Sequence, residues 1–484
     1  MRKSSFFFAL ALSSTMQMSF AHTNTMDVDD NDVISFADQN VKTICVNNWD
    51  TDGDGELSYA EAKAVTSLEK SFMSNKLILS FDELQYFTGL IIINSKAFYR
   101  CECLEHITIP EGVVTIWEEA FYGCKNLMTI HVPTTLKFIQ PWAFYGCELL
   151  SDFDLPESLE SIGFSAFANC KNLNSITIPS GVSSIEEGCF RGCSRLSNIK
   201  VDAANRTYNS GNNSNAIIKT STGILIAGCS STVIPNSVTG IAYYAFSGLS
   251  ELRSIEIPNS VISIDGWAFC NCTSLENITM SESLRKIGKF SFAGCSNLKS
   301  IVIPNNVILI EEQAFADCYT LKSVTSYLSK VFATGSSAFL NCENAKLYVQ
   351  GDLIDTYKAT TDWKRLKNVE PIMTKMLVAC NSQGSVAVNG GETISGNICE
   401  VEAMENTTNA LVFTPNNGCK LEQVLLNGED VTGQVAENSL NAVITKDSKM
   451  IVTFHNGSSD MDVNHDGSVD ISDVVTLVNF ILGN

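Results

Sequence analysis

One pattern recurs along this chain at a fixed period. Aligned on Phe, it places Phe98, Phe121, Phe144, Phe167 and Phe190 at steps of 23 residues. After one step of 56 it resumes at Phe246, Phe269, Phe292, Phe315 and, one residue late, Phe339. Ile stands five residues before Phe (Ile116, Ile139, Ile264), Leu six after it (Leu127, Leu150, Leu275), and pairs such as Ile178-Pro179 close the units. A period of this length marks a solenoid. One short unit cannot bury its own apolar face, whereas stacked units share a continuous core and touch only their neighbours. The alternation in SITIP (175–179) is that of a short strand, and Pro ends it because it has no N–H to donate to a ladder. The expectation is a parallel sheet along one face, one strand per coil, with ten coils rising ~50 Å at ~4.8 Å per strand.

Cys occupies the position three after Phe in nine of the ten units, and Leu249 replaces it in the other. A position that accepts Cys or Leu asks for a small buried hydrophobe. A reduced packing ladder is therefore the first reading of most of the 17 cysteines, and occasional disulfides between stacked neighbours are the second. The pairs Cys101/Cys103 and Cys270/Cys272 have no His cluster to complete a zinc site.

The unit CxxLxxIxIPxxVxxIxxxAFxxC over residues 90–344 resembles the BspA-like leucine-rich repeat of bacterial surface proteins. Residues 347–372 resemble that family's closing cap. The resemblance implies adhesion, that is, binding of host or neighbour proteins or of glycans. Between 201 and 232 a Gly/Asn/Ser-rich turn flanked by two apolar runs reads as a hairpin inserted in the solenoid.

DTDGDGELSYAE (50–61) fits the twelve-residue EF-hand loop at every ligand position. Asp50, Asp52 and Asp54 stand at positions 1, 3 and 5, Gly55 at the sharp turn, Glu56 offers its carbonyl, Ser58 is at 9 and Glu61 at 12. Calcium takes about seven hard oxygen ligands, and alternate residues of a tight loop aim them inward. Ser58 and Glu61 also form a capping box for the helix that follows. The bland alternative is an Asp/Gly-rich surface turn without metal. A second loop, DVNHDGSVDISD (462–473), offers Asp462, Asn464, Asp466, Ser468, Asp470 and Asp473. With its following helix it resembles one repeat of a type I dockerin, which implies Ca2+ and, through Ile471 and Ser472, a cohesin as partner. A full dockerin has two such repeats, and one is visible.

The net charge of −21 argues against nucleic acid or an anionic membrane as partner and suggests cations as ligands. Arg2 and Lys3, the apolar run 6–12 and the small residues Ser19 and Ala21 read as an export signal cleaved near Ala21. No other run has the length of a membrane span, so the expectation is a secreted or cell-surface bacterial protein. Residues 373–455 hold short strand-like runs, with turn signals at Asn389-Gly390 and Asn427-Gly428. They resemble the internalin-type β repeats of surface proteins, which implies a spacer.

The expected fold is mostly β with α elements: a leucine-rich-repeat solenoid of about ten 23-residue coils, followed by a small β-sandwich-like domain and flanked by EF-hand-type loops. The expected divisions are a signal peptide (1–21), an EF-hand-like region and solenoid cap (22–85), the solenoid (86–345), its C-terminal cap (346–372), the small β domain (373–457) and the dockerin-like repeat (460–484). The five His residues have no triad or metal partner by spacing, and no nucleophile elbow, P-loop or HExxH is present. We therefore expect no enzyme activity. The variable position two before Phe holds Trp142, Tyr244, Trp267 and Phe290, and the position one after Phe holds Tyr99, Tyr122 and Tyr145. Such rows either anchor an extracellular protein or glycan ligand or pack on one another to stiffen the coils.

Overall fold

A computed structural model describes residues 29–455. The expected signal peptide and the second loop, with Asp462, Asn464, Asp466, Ser468, Asp470 and Asp473, lie outside the described residues.

Most coils contribute two strands, where the sequence pattern suggested one. The longer strand ends at the Ile-Pro pair, as in Ser175–Ile178 and Ser300–Ile303. The second is a two-residue strand just ahead of the Phe turn, as in Thr115–Ile116 and Ser263–Ile264. Both pair in parallel between neighbouring coils, the longer strands in four separate runs and the short strands in two. The short-strand register advances by one repeat at a time, Ile93 on Ile116, Ile116 on Ile139, Ile139 on Ile162 and Ile162 on Ile185. Two bonded residues are too few to show alternation in the sequence, which is why only the longer strand was legible.

Between the ladders the core is a column of identical side chains. The Phe rings stack coil on coil in two runs, Phe98 to Phe190 and Phe246 to Phe339, with centroids 5.1 Å apart for Phe98–Phe121 and 5.3 Å for Phe292–Phe315, both pairs nearly parallel. The column is longer than the ten Phe positions. Phe72 stacks on Phe98 at one end, and Trp363 packs against Phe339 at the other. In all, about 13 turns of about 23 residues form the solenoid. Every cysteine is free. Each ladder thiol donates to the carbonyl of the Phe one coil earlier: Cys124 to Phe98 at 3.0 Å, Cys147 to Phe121 at 3.3 Å and Cys295 to Phe269 at 3.2 Å. The position is thus a buried hydrophobe that also carries a weak donor.

The 56-residue step is not a side branch. Its hairpin, Ala216–Lys219 against Ile224–Gly228, is antiparallel, and the second strand then joins the short-strand ladder in parallel with Gly240–Ile241. Gly228 lies against the Phe column: a Cβ there would sit 2.1 Å from Cε1 of Phe246. On the turn side the coil of Phe190 stacks directly on the coil of Phe246, and the Gly192 N–H donates to the Ser247 carbonyl at 2.7 Å. The insertion therefore fills a rung on one side and leaves the turn face continuous.

The N-terminal cap is built from helix α1 (Gln39–Trp49) and helix α2 (Tyr59–Ala64). Asp38 caps α1, and its other carboxylate oxygen accepts from the Leu79 N–H at 2.5 Å. Val41, Cys45, Leu57 and Ala62 are buried in the same apolar core as the first solenoid coils. At the far end, helix α3 (Ile354–Ala359) covers the last coil. Its Tyr357 is fully buried and shares a hydrogen bond of 2.6 Å with Ser326. Residues 373–455 form a five-stranded and a four-stranded sheet around one core that includes Val378, Leu411 and Phe454. This domain meets the solenoid cap where the Gly351 N–H donates to Oγ1 of Thr407 at 2.9 Å.

Candidate ligand surface and cation loop

The position two before Phe has left-handed backbone geometry in every coil, from Lys96 (φ 63°) and Glu119 (57°) through Trp142 (55°), Ser165 (52°) and Gly188 (66°) to Tyr244 (61°), Trp267 (54°), Phe290 (54°) and Gln313 (51°). The fold thus fixes the backbone there and leaves the side chain open, since Lys, Glu, Ser, Gly and Gln all occupy it.

At three consecutive coils the occupant is aromatic. Tyr244 stacks on Trp267 with centroids 5.5 Å apart, and Trp267 on Phe290 at 5.2 Å. All three rings are half-buried. Trp142 stands apart from the stack but joins it through a residue the sequence pattern did not reveal. Phe164 meets Trp142 edge-on at 5.4 Å and Tyr244 edge-on at 6.4 Å. Phe164 lies three before its repeat Phe and is 80 residues from Tyr244. The 56-residue step hid their adjacency. Gly188 makes room for the contact, because a Cβ there would press within 3.3 Å of the Tyr244 ring. The strip runs Trp142, Phe164, Tyr244, Trp267, Phe290.

The tyrosine row lies on the same face. Tyr99 stacks on Tyr122 at 5.2 Å and Tyr122 on Tyr145 at 4.6 Å. Arg191 connects the two rows, with its guanidinium 5.7 Å from the Tyr145 ring and 5.2 Å from the Tyr244 ring. Within the stacks the ring faces are taken up by one another, and the ends are covered by cations: Arg100 over Tyr99 and Lys289 over Phe290. What the strip offers to solvent is a line of ring edges flanked by charge. Glu187 stands beside it, and burial together with the neighbouring Asp265 carboxylate raises its pKa above the ordinary value.

In the EF-hand-like loop, carboxylate oxygens of Asp50, Asp52 and Asp54 lie within 4.8 Å of one another. Asp50 is held by the N–H groups of Gly53 (2.7 Å) and Gly55 (2.9 Å), and both glycines have the positive φ that this tight turn demands. Glu61 is not part of that convergence. One of its oxygens accepts from the Thr51 N–H and hydroxyl (2.6 and 2.9 Å), the other from the Ser58 N–H and hydroxyl (both 2.9 Å), and the capping box is complete. Burial works against its charge, but the hydrogen bonds from Ser58 and Thr51 prevail and bring its pKa down to about 2. The side chain of Glu56 turns to Lys42, 2.5 Å away. The donors are all oxygens and the turn has the required glycines, so the residues present fit a hard divalent cation. The loop's inner edge is covered by the chain's own residues 30–34: the Ile34 N–H donates to Leu57 at 2.9 Å, and Val33 bridges Ser58.

The repeat matches the model of the BspA type leucine-rich repeat region, in six copies over residues 91–216 and 227–346, about half of the chain. The chain belongs to the BspA-type leucine-rich-repeat family. Among solved structures, this BspA-type chain is similar to a leucine-rich cell-surface protein of Faecalibacterium prausnitzii, with 29% identity, a TM-score of 0.49, 61% of this chain covered and 85% of that one. It is also similar to the pneumococcal vaccine antigen PcpA, with 21% identity, a TM-score of 0.45 and coverage of 58% and 85%. A leucine-rich-repeat protein of Bacteroides ovatus matches at 24% identity with a TM-score of 0.38, covering 63% and 88%. No curated protein matches the sequence. Among the described residues no helix is long and apolar enough to cross a membrane.

Proposed function

We propose that this BspA-type chain is a secreted, non-enzymatic cell-surface binding protein that grips an extracellular protein through the strip Trp142–Phe164–Tyr244–Trp267–Phe290. The observation that carries this reading is the run of three large rings at a left-handed position that the fold fills elsewhere with Trp142 and with Lys, Glu, Ser, Gly or Gln. A non-glycine residue in that geometry costs about 1–2 kcal/mol, whereas a stacked aromatic pair returns about 0.5–1.5 kcal/mol. That strain is the same for Lys, Glu, Ser and Gln at this position, so it does not distinguish the rings, whose two stacks add about 1–3 kcal/mol. Aromatic anchors with charged surroundings are what protein interfaces concentrate. Because the ring faces are already stacked, the strip is better suited to side chains that insert against ring edges than to flat stacking of sugars. The surface-protein relatives support the cellular location.

The test is a binding screen of the full-length chain against host and matrix proteins and against cohesins. Tyr244→Ser/Trp267→Ser should abolish the protein interaction while folding stays intact, and unchanged affinity removes the strip from the account.

Ca2+ belongs to the same reading. Asp50, Asp52 and Asp54, with the Glu56 carbonyl, Ser58 and Glu61, would hold it at the N-terminal cap and stiffen that end. Because the loop packs into the solenoid core, saturating calcium at about 100 times its Kd should stabilise the cap by about 2.7 kcal/mol, and Asp50→Ala should erase that difference between calcium and chelator. The dockerin-like motif at 462–473 favours a second reading, an accessory component of a dockerin–cohesin carbohydrate-degrading assembly. A cohesin hit lost on chelation would select it.

A further inference from the structure

Beside the tyrosine row, the turn face carries an open groove of about 550 Å3 that the ring strip does not use. Its floor is Gly123 and Gly146, both at positive φ and without side chains to fill it. Tyr122 and Tyr145 form one wall. The opposite rim alternates in charge over four successive coils, Glu102, Lys125, Glu148, Lys171, with Lys125 3.8 Å from Glu102 and Lys171 3.0 Å from Glu148. Arg100 and Asn169 stand at the two ends.

The charge balance here runs against that of the molecule. Arg100 lines the groove, Arg191 reaches the Tyr145 ring of its wall, and Arg195 reaches Asn172 next to Lys171; none has a carboxylate within ion-pair distance among the described residues. Arg100 lies over the Tyr99 ring, Arg191 donates to Ser165 at 3.0 Å, and Arg195 donates to Asn172 at 3.0 Å. The groove lining itself sets three cations, Arg100, Lys125 and Lys171, against two carboxylates, Glu102 and Glu148, in a chain whose net charge is −21.

We propose that this groove binds a carboxylate-bearing oligosaccharide. A guanidinium without a partner takes a carboxylate through two parallel hydrogen bonds. The ionised rim, the Asn169 amide and the tyrosine hydroxyls supply donors and acceptors for sugar hydroxyls, and the glycine floor admits a ring close to the backbone. An acidic peptide is disfavoured because the groove has no apolar pocket in which a side chain would anchor. A densely charged polyanion is disfavoured by the long-range field of the acidic chain. The fitting ligand is short and sparsely charged.

The experiment is titration calorimetry of the full-length chain with trigalacturonate and sialyllactose, their neutral counterparts (the trigalacturonate methyl ester and lactose), and a triglutamate peptide. At least one acidic saccharide should bind, its neutral counterpart at least tenfold more weakly, and raised salt should weaken it. Arg100→Gln/Lys171→Gln, two exposed residues of the groove lining, should lose at least tenfold in affinity with an unchanged melting temperature. The proposal is overturned if neither acidic saccharide binds, if the neutral forms bind equally, if the double variant is unaffected, or if triglutamate binds as tightly as the saccharides.

Discussion

The thiol of Cys147 and the carbonyl of Phe121 belong to different coils, yet they form one bonded pair of 3.3 Å. Repeated along the column, this pair couples each Cys-bearing coil to the one before it, and only the coil of Phe246, with Leu249 at the position, lacks it. Burial pushes Cys101 and Cys193 up to about 12, so these thiols are neutral and inert as nucleophiles. Alkylation of the native chain at pH 8 should therefore stop at the partly exposed cysteines, Cys103, Cys399 and Cys419 first and Cys270, which burial pushes up to about 11, more slowly, and the other thirteen should react only in denaturant. Labelling of ladder thiols in the native chain, or their absence from labelling after unfolding without reductant, would contradict the reduced ladder. The apolar nature of this position was legible from the Leu249 replacement. The donor role was not, because its acceptor lies 26 residues back and is set by how coils register, not by any local pattern.

Two elements answer to single residues. Where the inserted strand Ile224–Gly228 meets the Phe column, Gly228→Ala would place a methyl 2.1 Å from the Phe246 ring. We expect a loss of about 1–3 kcal/mol, in the range of overpacked cores, read as a lowered midpoint in urea. The sequence showed a hairpin at this place. It did not show that the hairpin completes a rung, since pairing with Gly240–Ile241 is non-local and two-residue strands leave no periodic trace. The cap of α1 is the second case. Burial opposes the charge of Asp38, but bonds from Leu79 and Asn40 hold its pKa below the ordinary 3.8. A depressed carboxylate stabilises the fold above its unfolded pKa and loses that contribution as pH falls through the lower folded value. The cap should therefore loosen below about pH 4, seen as faster amide exchange in residues 39–49, and Asp38→Ala should weaken it by about 1 kcal/mol at neutral pH.

At the scale of the whole molecule, the solenoid separates what must be constant from what is free to vary. The repeated Ile, Phe, Cys and Leu face inward, and nearly all are fully buried. The unrepeated residues sit on the turn face, which stays continuous past the insertion because the coil of Phe190 stacks directly on that of Phe246. The scaffold and three of the five rings of the strip, Tyr244, Trp267 and Phe290, were visible as neighbours in the sequence. The link from Trp142 through Phe164 was not, because it crosses an interruption of the period. The most direct measurement of this division compares two aromatic residues of one coil by denaturant unfolding of the full-length chain. Phe269→Ala should cost about 3–5 kcal/mol, as a core ring does, and Trp267→Ser less, about 1–3 kcal/mol, the worth of its two stacked pairs. If Trp267→Ser costs as much as Phe269→Ala, the strip is part of the scaffold and not a surface held ready for a partner.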